Sequence, residues 1–239
     1  MKYSWAIESH VGLVRSGNED SFAPDNDGAG EGPVVIAVAD GMGGHTAGEV
    51  ASRLAIEAAT AEDFEPALDP VARVEKANTA VARAAAADPG LAGMGTTLTL
   101  GVFDADGSLR MAHVGDSRAY VLRNGELRQI TDDHTLVAEL VAGGILTPEQ
   151  ARTHPRRHMV TQSIGMPEVR IDTIDEQLEP GDRVLVCSDG LTIMVDDAEV
   201  ARILADSDSP SEAAWDLIAA ANAAGGHDNT TVAVVDVAP

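Results

Sequence analysis

Cysteine is almost missing from this chain of 239 residues: Cys187 stands alone, so no intrachain disulfide framework can form. It lies in the apolar run Val184-Leu185-Val186-Cys187, where a small buried thiol is the expected role, and a reducing compartment suits it. Aromatic residues contribute only 3 %, so a core must be built mainly from Ala, Val, Leu and Ile. Positive charge is scarce as well. Sixteen Lys and Arg face 39 Asp and Glu, a formal charge of −23. A surface of that sign repels nucleic acid and anionic membrane, and neither is an expected partner. No apolar stretch approaches the length of a membrane span, and the opening MKYSWAIESH has no basic-then-apolar leader pattern. The expectation is a soluble, cytoplasmic, monomeric protein. Repeats, low-complexity tracts and dividing linkers are absent too, and a 44 % hydrophobic content supports one domain over residues 1–239.

Residues 34–39 form a continuous apolar run ending at Asp40, which predicts a buried strand. A helix should follow, with Thr46 and Glu49 as a capping box and Ala47, Val50, Ala51, Leu54, Ala55 and Ala58 on one apolar face. Asp69-Pro70 opens a second helix that Asp88-Pro89-Gly90 closes. Strands are predicted over residues 96–103 and 109–114 around Asp106-Gly107, and over 119–123 and 126–130 around the hairpin dipeptide Asn124-Gly125. Residues 131–165 are less regular and hold a cationic cluster, His154-Pro155-Arg156-Arg157-His158. Its arginines either contact substrate or form surface ion pairs. Strands return at 169–176 and 183–188, helices near Asp196 and from Ser209-Pro210, and a last strand over 230–237. Strands in runs and helices in pairs, without βαβ alternation, indicate α+β with mainly antiparallel sheets.

Carboxylates recur at the predicted strand ends: Asp40-Gly41, Gly115-Asp116, Asp189-Gly190 and Asp228-Asn229. Any one of these pairs makes a turn equally well. Should the ends converge, the acids would need protons or a cation, because two carboxylates 4 Å apart repel by about 4 kcal/mol at an effective dielectric near 20. Oxygen ligands of this kind suit Mg²⁺ or Mn²⁺, and no Cys/His spacing suggests zinc. No nucleophile elbow and no P-loop is present.

Six segments then carry a resemblance: Val14-Arg15-Ser16-Gly17-Asn18-Glu19-Asp20-Ser21, Val38-Ala39-Asp40-Gly41-Met42-Gly43-Gly44-His45, Gly95-Thr96-Thr97, Val114-Gly115-Asp116-Ser117-Arg118, Ser188-Asp189-Gly190-Leu191-Thr192 and His227-Asp228-Asn229-Thr230-Thr231. In this order the chain resembles the metal-dependent serine/threonine protein phosphatases of the PP2C type, in their bacterial form, along nearly its whole length. The resemblance implies a four-layer α-β-β-α sandwich, two central antiparallel sheets flanked by helices, with the active site in a cleft at one end. It implies two Mn²⁺ or Mg²⁺ ions, with Asp40 bridging them, the Gly41 carbonyl on one, and Asp189 and Asp228 on the other. Glu19 and Asp20 would lie near metal-bound waters, and Asp116 at a third, weaker ion. Arg15 matches the arginine that clamps the substrate phosphate. His45 is the candidate acid for the leaving alkoxide, and a helix-entry role beside Thr46 is its alternative.

The substrates implied are phosphorylated proteins, with bacterial Ser/Thr kinases as opposing enzymes. Two further readings stand beside this one. The first is a phosphatase of a phosphorylated anti-sigma-antagonist type of regulator. The second is a non-catalytic PP2C-fold binding module, disfavoured because Asp40, Asp189 and Asp228 are all present.

Overall fold

The computed structural model describes residues 1–61 and 69–238, the side chain of His45 excepted. Among the described residues, twelve strands are arranged in two sheets. The first comprises β1 (Lys2–His10), β3 (Gly28–Glu31), β8 (Arg118–Arg123), β9 (Glu126–Gln129), β11 (Arg183–Cys187) and β12 (Thr230–Ala238), in the order β3-β1-β12-β11-β8-β9. The second comprises β2 (Asp20–Ala23), β4 (Val34–Met42), β6 (Leu98–Phe103), β7 (Ser108–Val114) and β10 (Asp172–Gln177), in the order β10-β7-β6-β4-β2, and the short β5 (Gly95–Thr96) pairs with β4. Every pairing between named strands is antiparallel.

Alternation along the strands builds three apolar layers, since successive side chains point to opposite faces. In β11, Val184 and Val186 enter the inter-sheet core with Ile36, Val38, Phe103 and Met111. Leu185 and Cys187 point the other way, against α6 (Asp197–Asp206) and α7 (Pro210–Ala223). On the second sheet, Leu98, Leu100 and Val102 meet α1 (His45–Thr60) and α2 (Pro70–Ala87). Alanines 47, 51, 55 and 59 make the buried face of α1, so small side chains bring this helix close to the sheet. Both sheets are therefore buried on both faces, and the four-layer sandwich follows.

The turn chemistry acts as read in most places. Asp69 caps α2 by accepting from the Val71 and Ala72 amides, and Asn124 takes φ 52 in the β8–β9 hairpin. One capping box does not form. β4 runs on through Asp40 and Gly41 to Met42, and Gly43 and Gly44 then turn the chain at positive φ. Helix α1 consequently starts at His45 with no side-chain cap, which leaves Thr46 inside the helix. The strand expected over 169–176 begins only at Asp172, and the one over 96–103 is broken between Thr96 and Leu98.

Register places the chemistry. Pairings His10↔Thr230, Cys187↔Val232 and Arg118↔Cys187 mark one end of the first sheet, and Asp20↔Asp40 and Leu98↔Val114 one end of the second. Side chains from both ends meet there. Leu100 is fully buried between the second sheet and α1 and α2. Leu100→Ala is expected to cost about 2–5 kcal/mol in denaturant unfolding, whereas exposed Ile145→Ala should stay within about 0.5 kcal/mol of the parent.

Candidate active site

Asp40 and Asp20 face one another across the β2–β4 pair. The Asp40 backbone is pinned: its N–H donates to Thr97 Oγ1 at 2.9 Å, and its carbonyl accepts from Thr96 Oγ1 at 2.8 Å and the Thr97 N–H at 2.9 Å. Asp20 is buried, and its Oδ2 accepts from Ser188 Oγ at 2.9 Å and Thr231 Oγ1 at 2.7 Å. These two bonds tie the sheets together at the site. Its Oδ1 is buried with no donor among the described residues.

Asp189 opens the short helix α5 (Asp189–Thr192) directly after β11 and is hydrogen-bonded to the Asp40 carboxyl. Two carboxyl groups in such contact cannot both be ionised unless a cation lies between them. Asp116, buried in the β7–β8 turn, faces Asp189 and Asp133. Asp228 stands just before β12, where its Oδ2 takes the Arg15 Nη2 at 2.6 Å and its Oδ1 takes the Asn229 N–H. Glu19 is buried against α1, and its Oε2 lies where a Cβ on Gly48 would come within 2.0 Å. A Cβ at 48 would also meet the Gly41 backbone at 2.9 Å, which cannot give way as a side chain can, so glycine there lets α1 close on β4. Gly41 follows Asp40 inside β4. The His45 side chain lies outside the described residues.

Burial is the largest influence on Asp20, Asp40, Asp116 and Asp189. It lifts Asp20 to about 6, against the opposing hydrogen bonds of Thr231 and Ser188. It lifts Asp189 to about 7, with help from Asp228 and Asp20, and Asp116 to about 8, with help from Asp189 and Asp133. Asp40 is pushed well above the carboxylate range by burial and then by Asp20, Asp189, Asp116 and Asp228. Among the described residues, no three His, Cys, Asp or Glu side chains already close around one point as a finished metal shell. The donor set nevertheless fits hard divalent cations. It is all oxygen, it includes an orphaned buried carboxylate oxygen, and its charge is tolerable only with protons or metal.

A groove of about 1020 Å³ leads away from Asp116 and Asp189, between α5 and the segment that holds α3 (Leu136–Ala142) and α4 (Pro148–Arg152). Arg152, Arg157 and His158 line it, and Arg156 does not. No ion pair engages Arg156 or Arg157 among the described residues. Asn229 accepts the Glu19 N–H on its Oδ1 at 2.8 Å and donates to the Val11 and Gly17 carbonyls; its role, like those of Ser188, Thr231 and Gly48, was not visible in the sequence. Three of them lie inside the matched segments, but their partners are distant in the chain.

The carboxyls set a pH dependence. Above about pH 4 the unfolded chain has released protons that folded Asp20, Asp189 and Asp116 still hold, so the folded state binds more protons and its stability falls as pH rises toward 8. Thermal unfolding in EDTA should give a lower Tm at pH 8 than at pH 5, and Mn²⁺ should raise Tm more at pH 8. A Tm in EDTA that is level or rises over this range would contradict the clustering.

Comparison with known proteins agrees with this geometry. Residues 15–222 match the family described as Protein phosphatase 2C. The serine/threonine protein phosphatase PstP of Mycobacterium tuberculosis is 44 % identical over 238 residues, which cover 98 % of this chain and 45 % of the relative. The chain thus spans a little under half the length of that relative. The serine/threonine phosphatase stp of Listeria innocua is 39 % identical over 241 residues, covering 94 % of this chain and 92 % of its own. Among solved structures, the Mycobacterium tuberculosis phosphatase PstP/Ppp superposes with a TM-score of 0.90 at 42 % identity, over the whole of both chains. The PstP catalytic domain in complex with two manganese ions superposes at 0.87, also 42 % identical, covering 100 % of this chain and 99 % of that one. With its six motifs, its double-sheet sandwich and its cluster of strand-end aspartates, the chain belongs to the protein phosphatase 2C family.

Proposed function

We propose that this chain is a metal-dependent serine/threonine protein phosphatase, working as one catalytic domain over residues 1–239. One observation carries the reading: Asp40, Asp20, Asp189 and Asp116 are gathered at one end of the sandwich, where each resists ionisation. Such a group has little structural value and suits a pair of divalent cations. When bound, two Mn²⁺ or Mg²⁺ ions supply Lewis-acid charge and a water acidic enough to react near neutral pH.

The chain's own residues divide the remaining work. Asp40, the Gly41 carbonyl, Asp189 and Asp228 hold the ions, and the Asp20–Ser188–Thr231 bonds fix the position of the cluster between the sheets. Glu19 and Asp20 order water beside it. Asp116, at the mouth of the groove, holds a third and weaker ion. Arg15 is partly exposed and, among the described residues, is engaged by Asp228 alone, so its guanidinium can turn outward and give two parallel hydrogen bonds to a phosphate. His45, at the start of α1, donates the proton that the departing Ser or Thr oxygen needs. The groove then receives the chain on one side of the phosphorylated residue.

The substrates are phosphorylated proteins, with Ser/Thr kinases as the opposing enzymes. The protein acts in the cytoplasm as a monomer, and among the described residues no helix is long and apolar enough to cross a membrane.

Mn²⁺-dependent hydrolysis of p-nitrophenyl phosphate, abolished by EDTA, is the direct test. Asp189→Asn should lower that rate by about a hundredfold or more and weaken Mn²⁺ binding in calorimetry; a fully active variant would end the metal-site reading. His45→Ala should slow phosphopeptide turnover by about tenfold or more and spare the aryl phosphate, whose leaving group needs little protonation. Equal losses on both substrates would remove His45 as the acid.

A further inference from the structure

His134 lies outside the metal-site motifs, yet it is fully buried, and its backbone N–H, its carbonyl and its ring Nδ1 are all hydrogen-bonded. Its backbone N–H donates to the Gly115 carbonyl at 2.7 Å, and the Gly115 N–H donates back to the ring Nδ1 at 3.2 Å. One residue thus grips both faces of Gly115, the neighbour of Asp116. Because Nδ1 accepts, the ring proton sits on Nε2, which lies 3.0 Å from Asp172 Oδ2 at an angle short of a formed hydrogen bond. The ring also packs on His113, with centroids 5.0 Å apart. His113 is anchored in turn by Thr99 Oγ1 at Nδ1 and by the Asp132 carbonyl at Nε2.

The other side of His134 faces the groove wall. Its carbonyl accepts from the Thr161 N–H at 2.8 Å, Thr135 bridges to Val160, and the Leu136 N–H donates to the Met159 carbonyl. Residues 134–136 and 159–161 therefore close the base of the excursion that holds α3 and α4. Gly115 has no room to adjust. It sits at φ +113, and a Cβ there would meet Thr97 Cγ2 at 2.5 Å. Thr97 is the residue that pins Asp40, and its Oγ1 also lies 2.7 Å from Ser117 Oγ.

We propose that His134 is a positioning residue: through its two bonds to Gly115 it sets the Asp116 turn and fixes that turn against the root of the α3–α4 excursion. The inference rests on the phosphatase reading for its kinetic consequence and on the hydrogen bonds alone for its structural one. A displaced turn would move Asp116 within the site and, through Thr97, loosen the support of Asp40. Misplacement on the order of 1 Å costs about a hundredfold in well-aligned sites.

Two variants separate the hydrogen bond from the volume it fills. His134→Asn places Oδ1 where Nδ1 was and keeps the acceptor for the Gly115 N–H, and His134→Leu fills the space without one. In hydrogen exchange, amides 115–117 of His134→Leu should exchange about tenfold faster than in His134→Asn or the parent. On a phosphopeptide, His134→Leu should raise the Mn²⁺ concentration for half-maximal rate by about fivefold or more, and His134→Asn should restore it to within about twofold. In an Asp116→Ala background, His134→Leu should add little, because both act through one turn. Equal exchange in both variants, or full multiplication of the two kinetic losses, would overturn the proposal. Should His134→Leu not fold, His134→Asn decides: amides 115–117 exchanging as in the parent uphold the proposal, and faster exchange there overturns it. A parent without Mn²⁺-dependent activity would sink the phosphatase reading, and exchange at 115–117 would then decide the positioning role on its own.

Discussion

The structure turns on the mutual repulsion of carboxylates gathered at one end of a double sheet. Folding puts Asp40, Asp20, Asp189 and Asp116 where water is scarce and like charge is close, and none of them ionises there at its ordinary pH. A fold that accepts this needs rigidity elsewhere. It comes from two sheets buried on both faces, and from the Ser188 and Thr231 hydroxyls that join them at Asp20. The pinned backbone of Asp40 has the same effect on the opposite wall. Catalytic geometry and sheet geometry are thus one problem.

Scarcity of aromatics has left a mark on the layers. With few large rings available, the helix–sheet interfaces close through alanine and valine, and the buried alanines of α1 let it sit low on the second sheet. The close approach matters at Gly48, where α1 passes over the Glu19 carboxylate with no space for a Cβ. Composition and site architecture are linked at that point: a bulkier helix face would lift α1 away from the acid it covers.

What could be read in the sequence was what is local. The β8–β9 hairpin follows from Asn124-Gly125, and the start of α2 from Asp69-Pro70, because each turn is specified by residues within a few positions. The strand-end aspartates were visible in the same way, each beside a glycine or asparagine, and the six ordered motifs joined them into a site. β1 is missing from the predicted strands although Tyr3-Ser4-Trp5-Ala6-Ile7-Glu8 alternates and sends Tyr3, Trp5 and Ile7 into the inter-sheet core; β2 and β3 are only four residues each, and β3 is the glycine-bearing Gly28–Glu31. The Thr46–Glu49 cap does not form because the extension of β4 through Met42 depends on pairing with β5, where Met42 meets Gly95 and Gly41 meets Thr96, far along the chain. Ser188 and Thr231 hold Asp20 across separations of 168 and 211 residues, and no local pattern announces such bonds. His134 was hidden for the same reason.

The unequal charge of the chain has a kinetic meaning once the groove is in view. A chain with a formal charge of −23 repels any anion at long range, and Arg152 and Arg157 put local positive charge on one edge of a groove that Asp116, Asp132, Asp133, Asp189, Asp196 and Asp197 also line. Dissolved salt weakens the distant repulsion within a Debye length of roughly 8–10 Å while leaving close contacts less affected. Encounter with an anion is accordingly a matter of orientation more than attraction: one that arrives along the arginine edge meets a lower barrier than one that arrives elsewhere.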